Sequence, residues 1–492
     1  MTKIVASLVE RDIRRVEEAS KAAFAAGADL VELRADMLEK TDLRTLEGAR
    51  RAIQGPAIAT LRSKQEGGRS NLTGQSREKK LWEILECGFE YVDFELGSDK
   101  RVLSQVRDAE WRPLTIASCH FQGRVTRSRI ETSISDACGE ADIGKVAMPC
   151  EHAGDALMLA QVGLVLTNRR RRYVLVGMGQ QGQLTRACVG KIGSELVYAC
   201  LPGKEAASGQ MDVALQRRLL SQGRMLFGLL GHPVSHSVSK PMQEAALREA
   251  GLKGAYLPLD FPPEALDRRA LSLLRTLGFS GLNVTIPHKE WAHGACTRLS
   301  PSAESGAVNT ILFERKRFVG ENTDVFGFAR LLDGKIDLGP KTRCLLVGAG
   351  GVARAVAHVL AEKGAILTVT DVDMERARRI SRKHRARTST VGGLWKLRND
   401  FDLIVNCSPV GMKGVSKESP VKPYMFRPGV VFVDVIFNPP TTEAMRLARK
   451  AGATAYGGLE MLVHQGAESF RLWTGITPNV DAMREAAQEA LR

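Results

Sequence analysis

Through its first two hundred residues the chain alternates short apolar runs with amphipathic stretches, and this alternation restricts the fold more than any other feature. The apolar runs fall at 4–8, 30–33, 57–61, 91–96, 114–119, 143–148, 173–178 and 196–200. Helical periodicity, as over 14–26 and 79–87, fills the gaps. Near-continuous apolar runs of this length suit parallel strands buried on both faces. Eight of them alternating with helices predict a (β/α)8 barrel. Chemistry in that fold gathers at the C-terminal ends of the strands. Polar residues stand there: Glu32, Arg34 and Asp36; Arg62 with Glu66-Gly67-Gly68; His120; Lys145; and the run from Gly179 to Arg186.

At 492 residues the chain is too long for one core. A polar helical stretch over 209–223 ends the barrel segment, and Met225-Leu226-Phe227-Gly228 opens a new strand, so the boundary is expected near Gln222. A second α/β unit is expected over 223–332. A third, over 333–492, opens with the strand Cys344-Leu345-Leu346-Val347 and ends, from Gly458, in helices that pack back. The fold class is α/β throughout.

Bulk properties exclude several functions. A net charge of +15 raises the question of nucleic acid. Its densest run, Arg169-Arg170-Arg171-Arg172, precedes an apolar strand without interleaved aromatics and reads as a solvated connection, so no nucleic-acid role is expected. None of the nine cysteines forms a C-x-x-C pair, which argues for reduced thiols in the cytoplasm and against zinc or any other metal. The N-terminus lacks the apolar core of a signal peptide. The longest apolar stretch, 156–166, is interrupted by Gln161 and is too short to span a bilayer, so no membrane role is expected.

Lys145 interrupts the apolar run Ile143-Gly144-Lys145-Val146-Ala147-Met148. Desolvation disfavours an ammonium there and favours a neutral amine, a nucleophile that condenses with a ketone to a Schiff base. The plain alternative is a lysine that snorkels to solvent. His120 ends the preceding strand, one strand away, and suits a proton shuttle. A strand-end histidine with a satisfied hydrogen bond is its plain alternative. The guanidinium fork of Arg186 suits a carboxylate. Glu32 and Arg34 share one strand face at i, i+2.

These segments together resemble type I 3-dehydroquinate dehydratase. The match runs from residue 1 to about 215 and includes Val31-Glu32-Leu33-Arg34-Ala35-Asp36, Thr60-Leu61-Arg62, Ser118-Cys119-His120, Asp142-Ile143-Gly144-Lys145 and Gly177-Met178-Gly179 through Arg186. The resemblance implies that Lys145 forms an imine with 3-dehydroquinate and that His120 removes the α-proton and helps expel water. It implies that Arg186 holds the carboxylate and that Glu32, Arg34, Arg62 and Gln210 read the hydroxyls. Phe121 follows His120 where Asp or Asn is usual, and the segment Lys204 to Gln210 is one residue short of the family pattern.

Downstream, Gly348-Ala349-Gly350-Gly351-Val352-Ala353 follows a strand and opens a helix, a context that suits the pyrophosphate of a dinucleotide in a Rossmann-type domain. A tight glycine-rich turn is the plain alternative. Upstream stand Asn283-Val284-Thr285-Ile286-Pro287-His288-Lys289, Ala307-Val308-Asn309-Thr310 and Asn322-Thr323-Asp324. Reducing a ketone needs a hydride and a proton donor near the oxygen, and Lys289 oriented by Asp324 fits the second part. A surface ion pair is the alternative.

From about Phe227 to Gly475 the chain resembles shikimate dehydrogenase, with Gly231-His232-Pro233-Val234-Ser235-His236-Ser237-Val238-Ser239, Asn406-Cys407-Ser408-Pro409 and Gly458-Leu459-Glu460-Met461 through Gln465 among the matched motifs. The resemblance implies that Ser237 and Ser239 bind a carboxylate. It implies that Asn283, Thr285, Asn309, Asp324 and Gln465 grip hydroxyls, and that Lys289 and Asp324 carry the catalysis, reducing 3-dehydroshikimate to shikimate. Lys240 and Glu244 stand where proline and asparagine are usual, and Phe437 where tyrosine is usual. The family's NADP-binding form carries an Asn-Arg-Ser/Thr cluster after its second nucleotide-domain strand, and this chain has Thr370-Asp371-Val372-Asp373. An acid about twenty residues past the glycine turn hydrogen-bonds a ribose 2′-hydroxyl and repels a 2′-phosphate. Asp371 therefore favours NAD, or use of both cofactors, against the family's habit of NADP. Arg376, Arg378 and Arg379 follow.

The product of the first reaction is the substrate of the second, so the two resemblances imply a bifunctional enzyme of aromatic amino acid biosynthesis. Its partners would be small molecules, and a homodimer fits the dehydratase family's frequent dimers. An NAD-dependent quinate/shikimate dehydrogenase working catabolically is the first alternative. A silent metabolite sensor is the second; retention of Lys145, His120, Lys289 and Asp324 argues against it.

Overall fold

The computed structural model describes residues 2–110, 112–167, 171–235 and 237–492; Arg169 and Arg170 of the arginine run, and His236, lie outside them. The chain divides into two compact units, one of Met1–Leu226 with Lys253–Phe279, the other of Phe227–Leu252 with Ser280–Arg492.

The first unit is a nearly closed barrel of eight parallel strands. They are β1 (Lys3–Leu8), β2 (Leu30–Arg34), β3 (Ala57–Thr60), β4 (Tyr91–Glu95), β5 (Leu114–His120), β6 (Ile143–Pro149), β7 (Tyr173–Met178) and β8 (Leu196–Ala199). The sheet order β7-β6-β5-β4-β3-β2-β1-β8 leaves β7 and β8 as the seam. Hydrogen bonds at the start of both strands hold it: Glu195 N to Tyr173 O at 2.8 Å, and Leu175 N to the Ser194 hydroxyl at 3.0 Å. Arg172 also pairs with Glu195 at 2.6 Å and Arg171 reaches Ser135. The described part of the arginine run thus makes local surface contacts. A further strand, β10 (Gly254–Asp260), and helix Arg268–Thr276 also group with this unit.

The interior is layered. Val5, Leu30, Ile58, Tyr91, Ile116, Ile143, Val174 and Leu196, one from each strand, pack as an apolar floor. Inward positions recur every second residue. Two residues further along the strands come Ser7, Glu32, Thr60, Asp93, Ser118, Lys145, Val176 and Tyr198. A polar layer therefore rests directly on an apolar one, toward the strands' C-terminal ends. Buried polar groups persist only when they satisfy one another.

The second unit contains two sheets. In one, β9 (Met225–Gly231), β11 (Phe279–Val284), β13 (Thr310–Phe313), β14 (Phe318–Glu321) and β12 (Arg298–Leu299) follow in that order, with β11/β13 and β13/β14 antiparallel. The other is parallel throughout, in the order β17-β16-β15-β18-β19-β20. Its strands are β15 (Arg343–Val347), β16 (Ile366–Thr370), β17 (Arg387–Thr388), β18 (Leu403–Asn406), β19 (Val431–Asp434) and β20 (Thr454–Tyr456). Separate apolar clusters cover its faces, one built on Val356, Leu360 and Val405, the other on Phe432, Met445 and Ala448. This is a doubly wound, Rossmann-like sheet, and its order turns between β15 and β18, where such sheets bind ligands.

Helix Leu459–Thr474 packs on helix Thr323–Leu332, and Val480–Glu489 on Ser239–Glu249. Gly327 permits the first contact: a Cβ there would stand 2.6 Å from Met461 O and 2.9 Å from Gln465 Cβ. Among the described residues no helix is long and apolar enough to cross a membrane.

Candidate active sites

In the barrel, the polar layer converges on Lys145. Its Nζ donates to Asp93 Oδ2 at 3.0 Å and lies 4.0 Å from the centroid of the Tyr198 ring. The amine thus meets a carboxylate and an aromatic face, where its strand suggested only apolar neighbours. Arg62, just past β3, donates Nη2 to Asp93 Oδ1 at 2.7 Å and Nη1 to Ser118 Oγ at 2.9 Å. Burial pushes the Asp93 carboxyl up, but Arg62 and Lys145 outweigh it and hold the group well below the usual range.

His120 directs Nδ1 at Glu66 Oε2, 2.8 Å away. Burial, with Arg62 and Lys145 adding, pushes its imidazole well below the ordinary value, so the ring is neutral at pH 7. Glu66 ends the short turn Lys64–Glu66 and also accepts from Arg62 Nη1 at 3.1 Å. Burial raises its carboxyl to about 7; Arg62 opposes this, and Glu95 and Asp93 add to it. With the Nδ1 proton directed at Glu66, the Nε2 lone pair is available as a base.

Glu32 accepts from Ser7 Oγ at 2.7 Å and from Thr60 Oγ1 at 2.8 Å. Gln210 Nε2 reaches the same Ser7 hydroxyl at 3.3 Å. Arg34 binds Asp36 through two hydrogen bonds, at 2.8 and 2.7 Å. Glu32 and Arg34 share a face, yet each has its own partners.

Arg186 differs from the other buried cations. Arg34, Arg62, Arg77 and Lys145 each pair with a carboxylate. Arg186, 3% exposed in helix Gln183–Ala187, has no carboxylate at ion-pair distance among the described residues. Its Nη1 donates to Gly177 O, its Nε has no partner, and burial pushes its guanidinium down to about 10. A desolvated cation of this kind is a ready receptor for an anion.

In the second unit, Lys289 Nζ donates to Asp324 Oδ2 at 2.5 Å. Lys289 opens helix Lys289–Ala295, and Asp324 sits in the first turn of helix Thr323–Leu332, capped by Asn322. Asn309 Nδ2 donates to Asp324 Oδ1 at 2.9 Å and to Gln465 Oε1 at 3.3 Å. Asn283 joins through Ser469 at 2.9 Å, and Ser469 Oγ bonds Thr310 at 2.8 Å and Thr323 at 3.0 Å. Five expected residues therefore form one connected network. Ser237 Oγ donates to Ser239 Oγ at 3.0 Å.

The turn after β15 suits a dinucleotide. Gly348 has φ of 99°, and a Cβ there would stand 2.8 Å from Ser408 N. Gly350, the N-cap of helix Gly351–Glu362, has nothing within 4 Å of where its Cβ would be, so that side is open for close approach. The helix's free N–H groups face outward there. Gly351 admits the stem of Lys289, whose Cδ would be 3.1 Å from a Cβ. Ala353 is fully buried in the helix–sheet contact. Ala349 N donates to Asp371 Oδ2 at 2.6 Å, which fixes that carboxylate beside the turn. Val372, next to it, is 95% exposed. Arg376 and Arg378 are engaged with Asp373 and Glu375 on the surface. Gly458 lets the chain pass Val435 O, which would be 2.1 Å from a Cβ, and so starts the helix that carries Gln465.

Comparison with known proteins matches residues 4–226 to type I 3-dehydroquinase, 229–311 to the shikimate dehydrogenase substrate binding domain and 458–488 to the shikimate 5′-dehydrogenase C-terminal domain. The shikimate dehydrogenase (NADP(+)) of Methanopyrus kandleri is 42% identical over 277 residues, which span 54% of this chain and 95% of that protein. The chain belongs to the shikimate dehydrogenase family and carries a type I 3-dehydroquinase domain ahead of it. The solved shikimate 5-dehydrogenase of Thermus thermophilus, in complex with NADP(H) and shikimate, is 37% identical, with TM-score 0.50 over 54% of this chain and all of that one. Quinate dehydrogenase of Corynebacterium glutamicum, in complex with NAD, is 30% identical, with TM-score 0.51 over 54% of this chain and 99% of that one.

Two departures from the dehydrogenase pattern explain each other. Lys240 and Glu244 pair across one helical turn, so the unusual lysine and the unusual glutamate are a single feature. In the dehydroquinase domain, Glu66 supplies the support for His120 that Phe121 does not. Sequence reasoning missed Asp93, Ser118 and Tyr198. The alternation Tyr91-Val92-Asp93-Phe94-Glu95 held the same signal as Lys145, an ionisable residue inside an apolar strand.

Proposed function

We propose that the chain catalyses two consecutive steps, dehydration of 3-dehydroquinate to 3-dehydroshikimate and reduction of that product to shikimate. Lys145, buried against Asp93 and the Tyr198 ring with His120 ending the neighbouring strand, is the observation that carries the first step. The amine form of Lys145 adds to the ring ketone, and loss of the carbonyl oxygen as water leaves an iminium. His120 Nε2 takes the α-proton and the electron pair moves onto nitrogen as an enamine. The enamine expels the β-hydroxyl, which leaves as water with the proton His120 returns, and hydrolysis frees Lys145. Arg186 receives the substrate carboxylate, which is why it lacks an internal one. Glu32, Arg34, Arg62 and Gln210 contact hydroxyls once substrate displaces their present partners.

In the second site Lys289 gives the proton that the developing alkoxide needs, and Asp324 orients its ammonium. Asn283, Thr285, Asn309 and Gln465 bind hydroxyls, and Ser237 with Ser239 binds the carboxylate. A bound nicotinamide nucleotide supplies the hydride. Gly348, Ala349, Gly350, Gly351 and Ala353 form its pyrophosphate turn, and Gly458 holds the chain near it. Asp371 and the apolar Val372 favour NAD, against the NADP named for close relatives. Domain limits near 222 and 332, and a cytoplasmic setting consistent with nine free thiols, complete the reading.

Borohydride trapping with 3-dehydroquinate, followed by mass mapping, tests the first step; a label on any residue but Lys145 overturns it. Steady-state rates with shikimate and quinate, each with NAD and NADP, test the second. Absence of shikimate turnover with either cofactor overturns it.

A further inference from the structure

Tyr198 belongs to the barrel's buried apolar cluster and yet presents its ring face to a cation. It lies on β8 in the polar layer, 6% exposed, and its ring centroid is 4.0 Å from Lys145 Nζ. Lys145 is 4% exposed, so this cation is almost fully desolvated. Asp93 contacts the same nitrogen at 3.0 Å. The Tyr198 hydroxyl is buried with no hydrogen-bond partner among the described residues, although the residue lines a small cavity with Arg186. The ring is therefore not anchored by its hydroxyl, and its evident polar contact is through the π face. A cation over such a face is attracted by the ring quadrupole, more strongly where water is excluded.

We propose that Tyr198 is a further catalytic residue of the dehydratase site, its ring face stabilising the positive charge on the Lys145 nitrogen when that nitrogen is an iminium. This rests on the Schiff-base reading given above. When the lone pair of Lys145 adds to the ketone carbon, the carbonyl π pair takes a proton and becomes a hydroxyl. That proton is one of the two on nitrogen; the hydroxyl then leaves as water with a second proton, drawn from solvent, and C=N⁺ with one N–H remains. The charge appears at the atom the ring faces, and Asp93 is already shared with Arg62 and Ser118. The neutral carbinolamine draws no comparable benefit, so the face lowers the barrier to iminium formation.

The test uses the full chain. Tyr198→Phe keeps the face and should form the trapped adduct within about threefold of the parent rate. Tyr198→Leu removes the face and should slow single-turnover adduct formation roughly tenfold. A second series replaces Tyr198 by phenylalanine and its mono-, di- and trifluorinated forms, which drain π density at nearly constant shape. The logarithm of the adduct rate should fall steadily along it. A flat series, with the label still on Lys145, overturns this inference and leaves the Schiff base standing. A label elsewhere in the parent protein overturns the underlying reading instead. Shikimate oxidation by the same preparations reports on the other catalytic unit and should not change.

Discussion

Glu66 Oε2 lies 2.8 Å from His120 Nδ1, and burial moves the two groups in opposite directions: it raises the carboxyl to about 7 and drives the imidazole well below its usual value. Above pH 7 Glu66 is ionised and accepts the Nδ1 proton, so Nε2 is free as base. Below it, the carboxyl carries a proton and donates to Nδ1, which moves the ring proton to Nε2 and blocks it. Dehydratase kcat should therefore rise with pH through about 7. Glu66→Gln should remove that limb and lower kcat roughly tenfold to a hundredfold, with shikimate oxidation unaffected. A pH–rate profile of the variant that still rises through 7 would contradict the assignment.

Lys289 and Asp324 form the corresponding pair in the second site, and their roles separate by substitution. Lys289→Ala removes the proposed proton donor and should lower dehydrogenase kcat by roughly 10²- to 10⁴-fold. Asp324→Asn keeps the Asn309 contact in shape but loses the charge, so a smaller fall in kcat is expected. Neither should alter 3-dehydroquinate dehydration, which is measured by enone absorbance in the same preparations.

The parallel barrel was legible because buried strands must be apolar and its eight runs are regularly spaced. Lys145 and His120 were legible because each is ionisable at an apolar strand's inward or terminal position. What holds them was not. Asp93 and Tyr198 reach Lys145 across the barrel interior, and Ser118 joins through Asp93, so their relation depends on which residues face inward at the same height, a property of register and closure. Glu66 was visible as part of Glu66-Gly67-Gly68, but only the folded loop brings it to His120. The opposite holds at the nucleotide turn, where Gly348, Gly350 and Asp371 act through local backbone geometry that a short motif encodes.

The proposed preference for NAD rests on the end of β16. Asp371 is fixed by Ala349 N at 2.6 Å, and Val372 offers no charge to a 2′-phosphate. The double substitution Asp371→Asn, Val372→Arg replaces a repelling carboxylate by an amide and adds a guanidinium. The ratio of kcat/KM for NADP over NAD should rise by roughly a hundredfold, since each exchanged charge contact is worth about tenfold. An unchanged ratio would mean that discrimination lies elsewhere.

Stability of the barrel in acid should depend on Asp142. Its Oδ2 accepts from Thr115 N at 2.8 Å and Thr115 Oγ1 at 2.9 Å, and Arg112 pairs with it. Burial pushes the carboxyl up, but Arg112 and Thr115 win and bring it from 3.8 to about 2. A lowered folded-state value means stabilisation that is full above 3.8 and lost as pH falls through 2. Asp142→Ala should cost about 1–2 kcal/mol near neutrality, discounted for its partial exposure, and the deficit should vanish toward pH 2. Thermal unfolding at pH 7 and at pH 2.5 measures both.

Arg354, in the first turns of the helix after Gly350, reaches across to the segment that carries Lys289. Its Nη1 donates to Gly306 O at 2.9 Å and its Nη2 to Glu290 at 2.6 Å. Glu290 follows Lys289, and Gly306 leads into Asn309, so one guanidinium ties both ends of the Lys289–Asp324–Asn309 network to the nucleotide turn. Gly351 admits the Lys289 stem at the same junction. Arg354→Met keeps the aliphatic stem and cuts both bonds. It should lower dehydrogenase kcat about tenfold and raise KM for the dinucleotide, because the donor is no longer held at the turn. Arg354→Lys restores one bond at most and should recover only part of the loss. Full activity in Arg354→Met, measured at saturating shikimate with the dinucleotide varied, would mean that packing at Gly351 alone aligns Lys289.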